Sequence, residues 1–239
     1  MQRNIESYIK LIDSFKKINI LVIGDLILDV FIYGEVNRVS PEAPVPVVNV
    51  KNIKTMPGGA SNVAKNLKTL GAQVTLCGVV GKDESGRKLK NLLEDLGIKS
   101  FLLDDGRKTS IKTRIIASNQ QVVRYDIEET KKLGQKYVEL LIKFIESNVA
   151  SFDAIIISDY GKGVVTPKVL NGVTNLAEKY KKIVTVDPKV ENFKYYKNVT
   201  CITPNTKEAS EGSGIHIKDE KTLLKSAKKI RKMLTPLSL

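Results

Sequence analysis

Five short segments carry residue types able to do chemistry. Pro57-Gly58-Gly59-Ala60-Ser61-Asn62 sets two glycines directly before a stretch with helical periodicity. Paired glycines let a ligand approach the backbone, and a helix start offers unpaired N–H groups and a positive dipole end. Asn62, in the first turn, can then donate to and accept from a hydroxylated ligand. A glycine turn with no ligand fits the same residues, and spacing alone leaves the two readings open. Upstream, Gly24-Asp25-Leu26-Ile27-Leu28-Asp29 places two carboxylates beyond an apolar run. Ligands of open α/β sheets bind outside the carboxyl ends of strands, so Asp29 is placed to accept hydrogen bonds from ligand hydroxyls. A pair of turn or cap residues is the alternative.

Asp159-Tyr160-Gly161-Lys162-Gly163 and Asp187-Pro188-Lys189 each follow a short apolar run, and each supplies a lysine able to steady a phosphate. Either alone reads as a polar loop; together with Asp29 and Gly58-Gly59 they are expected on one rim. In Pro204-Asn205-Thr206-Lys207-Glu208, Asn205 and Glu208 can organise Mg²⁺ through water around a polyphosphate. The same N-x-x-E spacing is a helix capping box. No G-x-G-x-x-G follows a strand and no G-x-x-x-x-G-K-[ST] occurs, so a nucleotide would be held without either fingerprint. His216 is the only histidine, which argues against Ser-His-Asp triads and multi-histidine metal sites.

The elements that must position these residues alternate. Apolar runs at 18–23, 74–80, 154–157, 183–186 and 199–202 have the continuous character of buried parallel strands. Helical patterns at 60–70, 85–96, 133–148 and 169–180 separate them. This predicts an α/β doubly wound parallel sheet. Two stretches break the alternation, 30–33 with 45–50, and 111–117 with 121–125. They read as antiparallel strands, the second pair a hairpin about Ser118-Asn119-Gln120, forming a small β lid from about 30–50 and 111–126. Residues 219–234 are an amphipathic helix after which another strand is expected, and Thr235–Leu239, with its proline, is a poor one.

Composition bounds the partners. With 42% hydrophobic and 27% charged residues, the chain has the make-up of a globular protein. Cys77 and Cys201 form no disulfide framework, no secretory h-region or membrane-length apolar run occurs, and a cytoplasmic location fits. The net charge of +13 comes mostly from lysines spread along helices, with no basic cluster interleaved with aromatics. That pattern argues against nucleic acid and for attraction of phosphorylated small molecules.

Together these segments resemble the ribokinase-like (pfkB-type) sugar kinases, most of all the heptose-7-phosphate kinases of ADP-heptose synthesis. The resemblance spans residues 18–232. It rests on Gly24-Asp25 with Asp29, Arg38-Val39-Ser40-Pro41-Glu42-Ala43-Pro44-Val45-Pro46, Pro57 to Ala64, Lys112-Thr113-Arg114, Gln121 with Arg124 and Asp126, and Asp159-Tyr160-Gly161-Lys162-Gly163. The glycine pair is widely shared; R-V-S-P-E-A-P-V-P and D-Y-G-K-G are narrower.

The resemblance implies that Asp29, Gly58, Gly59 and Asn62 hold the sugar. Lys112, Arg114, Arg124 and Lys162 would serve its existing phosphate and the approach to it. Asn205 and Glu208 match the family's magnesium and phosphate motif, with Lys189 beside them on the nucleotide side. ATP and Mg²⁺ are the implied cofactors, and the lid the implied homodimer interface. The implied reaction moves the γ-phosphoryl of ATP onto the anomeric hydroxyl of a heptose 7-phosphate. The family's G-A-G-D motif, source of its catalytic Asp and an anion hole, does not occur in these 239 residues, nor does H-x-G-H. The expectation is therefore an incomplete kinase domain over 1–239, lacking the fold's C-terminal strands and helices, and inactive by itself. A related kinase for another sugar, or a non-catalytic sugar-phosphate-binding or dimerising remnant, are the alternatives.

Overall fold

The computed structural model describes residues 5–234. Helix α1 (Ile5–Ser14) leads into β1 (Asn19–Gly24), followed by two long strands, β2 (Leu26–Val39) and β3 (Pro46–Gly59). Then come α2 (Ala60–Thr69), β4 (Gln73–Val79), α3 (Glu84–Asp95), β5 (Lys99–Leu103), β6 (Ser110–Ala117) and β7 (Gln120–Ile127). The second half runs α4 (Gln135–Asn148), β8 (Ala154–Ser158), α5 (Pro167–Lys179), β9 (Ile183–Asp187), β10 (Cys201–Ile202), α6 (Thr206–Ser213) and α7 (Glu220–Leu234).

The main sheet has six parallel strands in the order β10-β9-β8-β1-β4-β5. Its central strand is apolar without alternation because each face is covered. Leu21 and Ile23 pack with Ile155, Ile157, Leu141 and Val169 on the α4/α5 side. Val22 packs with Leu76, Ala60, Ala64 and Leu89 on the α2/α3 side. Burying one such aliphatic side chain stabilises by about 1.5–3 kcal/mol, so the central strand anchors two cores at once. The doubly wound expectation holds. Strand order reverses between β1 and β8, paired Ile23 to Ile157 and Gly24 to Ser158, and the crevice beyond such a reversal is where open α/β sheets bind ligands.

The second sheet, in the order β3-β2-β6-β7, is built from the stretches expected to form the lid, keeps that name, and departs from the expectation in two ways. It is mixed rather than wholly antiparallel, because β2 and β6 pair in parallel while the two hairpins are antiparallel. Its first hairpin is also far longer than 30–50. Each of its strands has 14 residues, and pairing continues to Leu26 opposite Gly59. Asp29 therefore lies within a strand, not a loop, and Gly58-Gly59 end a strand before opening α2. At the other hairpin's tip Ser118 (φ 48°) and Asn119 (φ 62°) are both left-handed, the geometry of a two-residue type I′ turn. Two departures lie in the main sheet: Lys99–Leu103 adds an edge strand, β5, where none was expected, and the expected strand 199–202 shrinks to Cys201–Ile202. The expectation for Thr235–Leu239 lies outside the described residues.

Candidate active site

Strand alternation sorts the lid into two faces. Across its four strands one row reads Met56, Asp29, Lys112, Asp126, and the next on the same face reads Lys54, Phe31, Arg114, Arg124. Four of the residues expected to meet the sugar phosphate thus share one surface. Arg114 donates from Nη1 to Asp29 Oδ1 at 2.7 Å and stacks its guanidinium 5.1 Å from the Phe31 ring centre. Lys112 reaches down toward the main domain, its Nζ 5.7 Å from the ring centre of Tyr160. Arg124, on the outermost strand, donates to Asp126 Oδ2 at 3.1 Å, while Asp126 Oδ1 is buried with no partner among the described residues.

The glycine pair has a packing reason. A Cβ on Gly58 would stand 2.3 Å from Asp29 Oδ2, and one on Gly59 (φ 57°) would stand 2.4 Å from the Asp25 carbonyl oxygen. Side chains at these positions would evict the Asp29 carboxylate or break the strand-to-helix corner. Asn62 follows in the first turn of α2, solvent-exposed.

Beneath the lid, the D-Y-G-K-G loop is held by Asp25, which is buried at the end of β1. Its carboxylate accepts the backbone N–H groups of Tyr160 (2.9 Å), Lys162 (3.0 Å) and Val164 (3.0 Å). The second carboxylate of that loop, Asp159, is also buried and accepts from the Tyr196 hydroxyl, the Asn192 amide and the Gly161 N–H. Burial raises the Asp159 pKa above the usual carboxylate value, and these three hydrogen bonds oppose the rise. Tyr196 in turn accepts from the Lys189 N–H at 2.9 Å. Lys162, Lys189, Lys132 and Lys194 line a cavity of about 560 Å³ beside this loop. Lys162 Nζ is paired with Glu128, just beyond β7, at 2.5 Å.

Asn205 and Glu208 form the capping box of α6: Asn205 Oδ1 accepts from the Glu208 N–H and Glu208 Oε2 from the Asn205 N–H, each at 2.9 Å. Their rim is the same one. The phenol of Tyr160 is pushed up first by burial, then by the charges of Asp187 and Asp29, with Glu208 adding to them. Asp187 is raised by desolvation and by Glu208. Among the described residues no three His, Cys, Asp or Glu side chains gather as a metal cluster, so an ion here would be held largely through water and phosphate oxygens.

The family model for pfkB family carbohydrate kinases matches residues 17–237. The chain belongs to the pfkB family. Bifunctional protein HldE of Wolinella succinogenes is 45% identical over 224 residues, 93% of this chain and 47% of the relative. Bifunctional protein HldE of Aliarcobacter butzleri is 45% identical over 218 residues, 90% of this chain and 46% of the relative. The chain thus spans about half the length of the curated relatives it matches. Among solved structures, the tetrameric inhibited form of phosphofructokinase-2 from Escherichia coli superposes with a TM-score of 0.70 at 20% identity, covering 91% of this chain and 71% of the other. A carbohydrate kinase from Agrobacterium tumefaciens gives 0.65 at 17%, covering 91% and 68%. These likenesses establish the pfkB-type fold.

Against that fold, the expected residues fall into two groups. Asp29, Gly58, Lys112, Arg114 and Arg124 lie together on the lid's inner face, and Gly59 and Asn62 continue from it. Lys162, Lys189 and Asn205 sit on loops of the main domain and Glu208 in the first turn of α6, with Tyr160 lying under Lys112 between the two groups. Sequence reasoning gave no role to Asp25, Asp159 or Tyr196. For the two carboxylates the signal was their position directly after buried strands; Tyr196 had none.

Proposed function

We propose that this chain forms the sugar-phosphorylating part of an enzyme that moves the γ-phosphoryl of ATP onto the anomeric hydroxyl of heptose 7-phosphate. The observation that carries this reading is the row Asp29, Lys112, Asp126 with Arg114 and Arg124 beside it. It offers carboxylates for hydroxyls next to fixed cations for a phosphate, which an acceptor that is itself a sugar phosphate needs. The 45% identity to HldE relatives supports the choice of acceptor.

In this reading Asp29 and Asn62 orient the sugar over Gly58-Gly59, and the start of α2 adds the field of its N-terminus. Lys112, Arg114, Arg124 and Lys162 receive the existing phosphate, Lys162 exchanging Glu128 for it. Asn205, Glu208 and Lys189 serve the nucleotide side. The capping box leaves Glu208 Oε1 to accept from water bound to Mg²⁺ and the Asn205 side-chain NH₂ to donate to a phosphate oxygen, so these residues fit the ion in that role. Bound there, Mg²⁺ would offset polyphosphate charge. What the chain's own residues supply is positioning and electrostatic stabilisation, the main contributions in phosphoryl transfer.

The lid's outer face is proposed as a homodimer interface, and the setting as cytoplasmic, without nucleic acid or membrane. No described helix is long and apolar enough to cross a membrane. Titration calorimetry with heptose 7-phosphate, fructose 6-phosphate and ribose tests the reading. Tight binding of the first alone is expected, and preference for either other sugar would refute it.

A further inference from the structure

The loop joining β5 to β6 carries a charge pair that no role above uses. Asp105 and Arg107 are both buried. Arg107 donates Nε to Asp105 Oδ1 at 2.8 Å and Nη2 to Asp105 Oδ2 at 2.6 Å, a two-pronged pair. Its remaining arm, Nη1, donates to the main-chain carbonyl of Lys162 at 2.7 Å. Lys131 Nζ adds a contact to the Asp105 carbonyl oxygen at 3.3 Å. Lys162 also gives its N–H to Asp25. The two backbone polar groups of this lysine are therefore held by buried charged side chains from two different loops. One residue fixed at its amide and its carbonyl has little freedom in φ and ψ, so the root of its side chain points one way.

We propose that Arg107, braced by Asp105, is a positioning residue that aims Lys162 at the phosphate of the acceptor sugar. The inference rests on the function proposed above and adds a residue to it. A buried ion pair taken alone is weak support for a stability role, because desolvation offsets most of its attraction. The third hydrogen bond, spent on one carbonyl of the ligand rim, is the feature a purely structural pair would not need. Lysine cannot replace Arg107, since only a planar guanidinium serves a carboxylate fork and a carbonyl together.

The test compares wild type, Arg107→Met, Lys162→Met and the double variant. Hydrogen exchange without ligand comes first: the amides of Lys162 and Gly163 should exchange faster in Arg107→Met while β1 and β8 stay protected. Calorimetry with heptose 7-phosphate and with the unphosphorylated heptose follows. Arg107→Met should weaken the phosphorylated sugar about tenfold, as for a lost charged contact, and the plain sugar less than twofold. In the Lys162→Met background the Arg107 effect should vanish. Equal losses for the two sugars, or a full Arg107 effect without Lys162, would overturn the inference. Should the wild type bind neither sugar, the proposed function fails, and unchanged exchange in Arg107→Met would separately refute the positioning role. If Arg107→Met does not fold because Asp105 is left charged and buried, Asp105→Asn/Arg107→Met takes its place with the same outcomes.

Discussion

Arg114 and Asp29 meet diagonally across two parallel lid strands, joined at 2.7 Å and about three-quarters shielded from water, with side-chain exposures of 24% and 22%. The proposed sugar-binding carboxylate is thus held in place before any ligand arrives. Its neighbour Gly58 leaves it room, and Phe31 stacks beneath the guanidinium. Replacing Asp29 by Ala removes a charged acceptor and frees Arg114. Sugar-phosphate affinity should fall by about 1.5–3 kcal/mol, the usual worth of a hydrogen bond to a charged group. Because Asp29 sits in a paired strand and not in a loop, a small drop in melting temperature should accompany the loss. Calorimetry on a folded Asp29→Ala protein with unchanged affinity would take Asp29 out of the site.

The other face of the lid carries an apolar row, Ile53, Ile32, Ile115, Val123, one residue from each strand. Ile53 and Val123 are 57% and 47% exposed, and Tyr125 beside them 48%. An apolar sheet face with an open edge strand invites association. Light scattering at micromolar concentration should give a dimer, and Val123→Lys should shift it to monomer without unfolding. A wild-type monomer would mean that this face is solvated.

How much of this was legible depended on what each residue was buried against. The run Ile18–Ile23 announced β1 because Leu21, Val22 and Ile23 are covered on two sides and leave no polar alternation. The lid strands were cut short for the opposite reason. Glu35, Asn37 and Arg38 in β2, and Asn49, Lys51 and Asn52 in β3, are polar and lie where the ribbon runs beyond the main domain. A two-sided solvated strand has no period to read. The N-x-x-E spacing was legible as chemistry and as a cap, and the cap is made. The contact from Arg107 to Lys162 bridges 55 positions and left no trace in local pattern.

Asp105 gives a pH signature. Its hydrogen bonds and ion pair with Arg107 hold its pKa below the usual carboxylate value despite burial. A carboxylate depressed in the folded state contributes stability above its unfolded pKa of about 3.9, and loses it as pH falls through the folded value. Asp105→Asn strands a buried guanidinium, so the wild type should be more stable at pH 7 by about 3–5 kcal/mol. That gap should narrow below about pH 4 in denaturant titrations. A gap that stays constant to the lowest pH at which both proteins fold would show that Arg107 does not depress Asp105.

Asn205 can be separated into its two roles by choice of replacement. Asn205→Ala should lower stability by about 1 kcal/mol through loss of the α6 cap. Asn205→Ser restores a capping oxygen but no amide N–H, so stability should recover while Mg²⁺-dependent binding of a non-hydrolysable ATP analogue stays weak. Recovery of nucleotide binding along with stability would leave Asn205 as a cap alone.

These 239 residues, produced and assayed alone, are expected to bind the sugar phosphate and turn it over poorly. The resembled kinases take their catalytic Asp and anion hole from G-A-G-D, and no such motif occurs in the sequence. The buried carboxylates that are present have other duties. Asp25 accepts three backbone N–H groups, and Asp159 is bound by Tyr196, Asn192 and Gly161. Asp29 is held by Arg114 in the lid. A missing general base costs about 10²–10⁴ in rate, and missing preorganised donors on the order of a further 10²–10³. Binding should survive, since Asp29, Gly58, Gly59 and Asn62 are all in place. A coupled ADP-release assay with heptose 7-phosphate, run beside a version extended through a G-A-G-D segment, decides the point. Comparable turnover by the two would mean that a carboxylate already present, with Asp29 the first to examine, acts as the base.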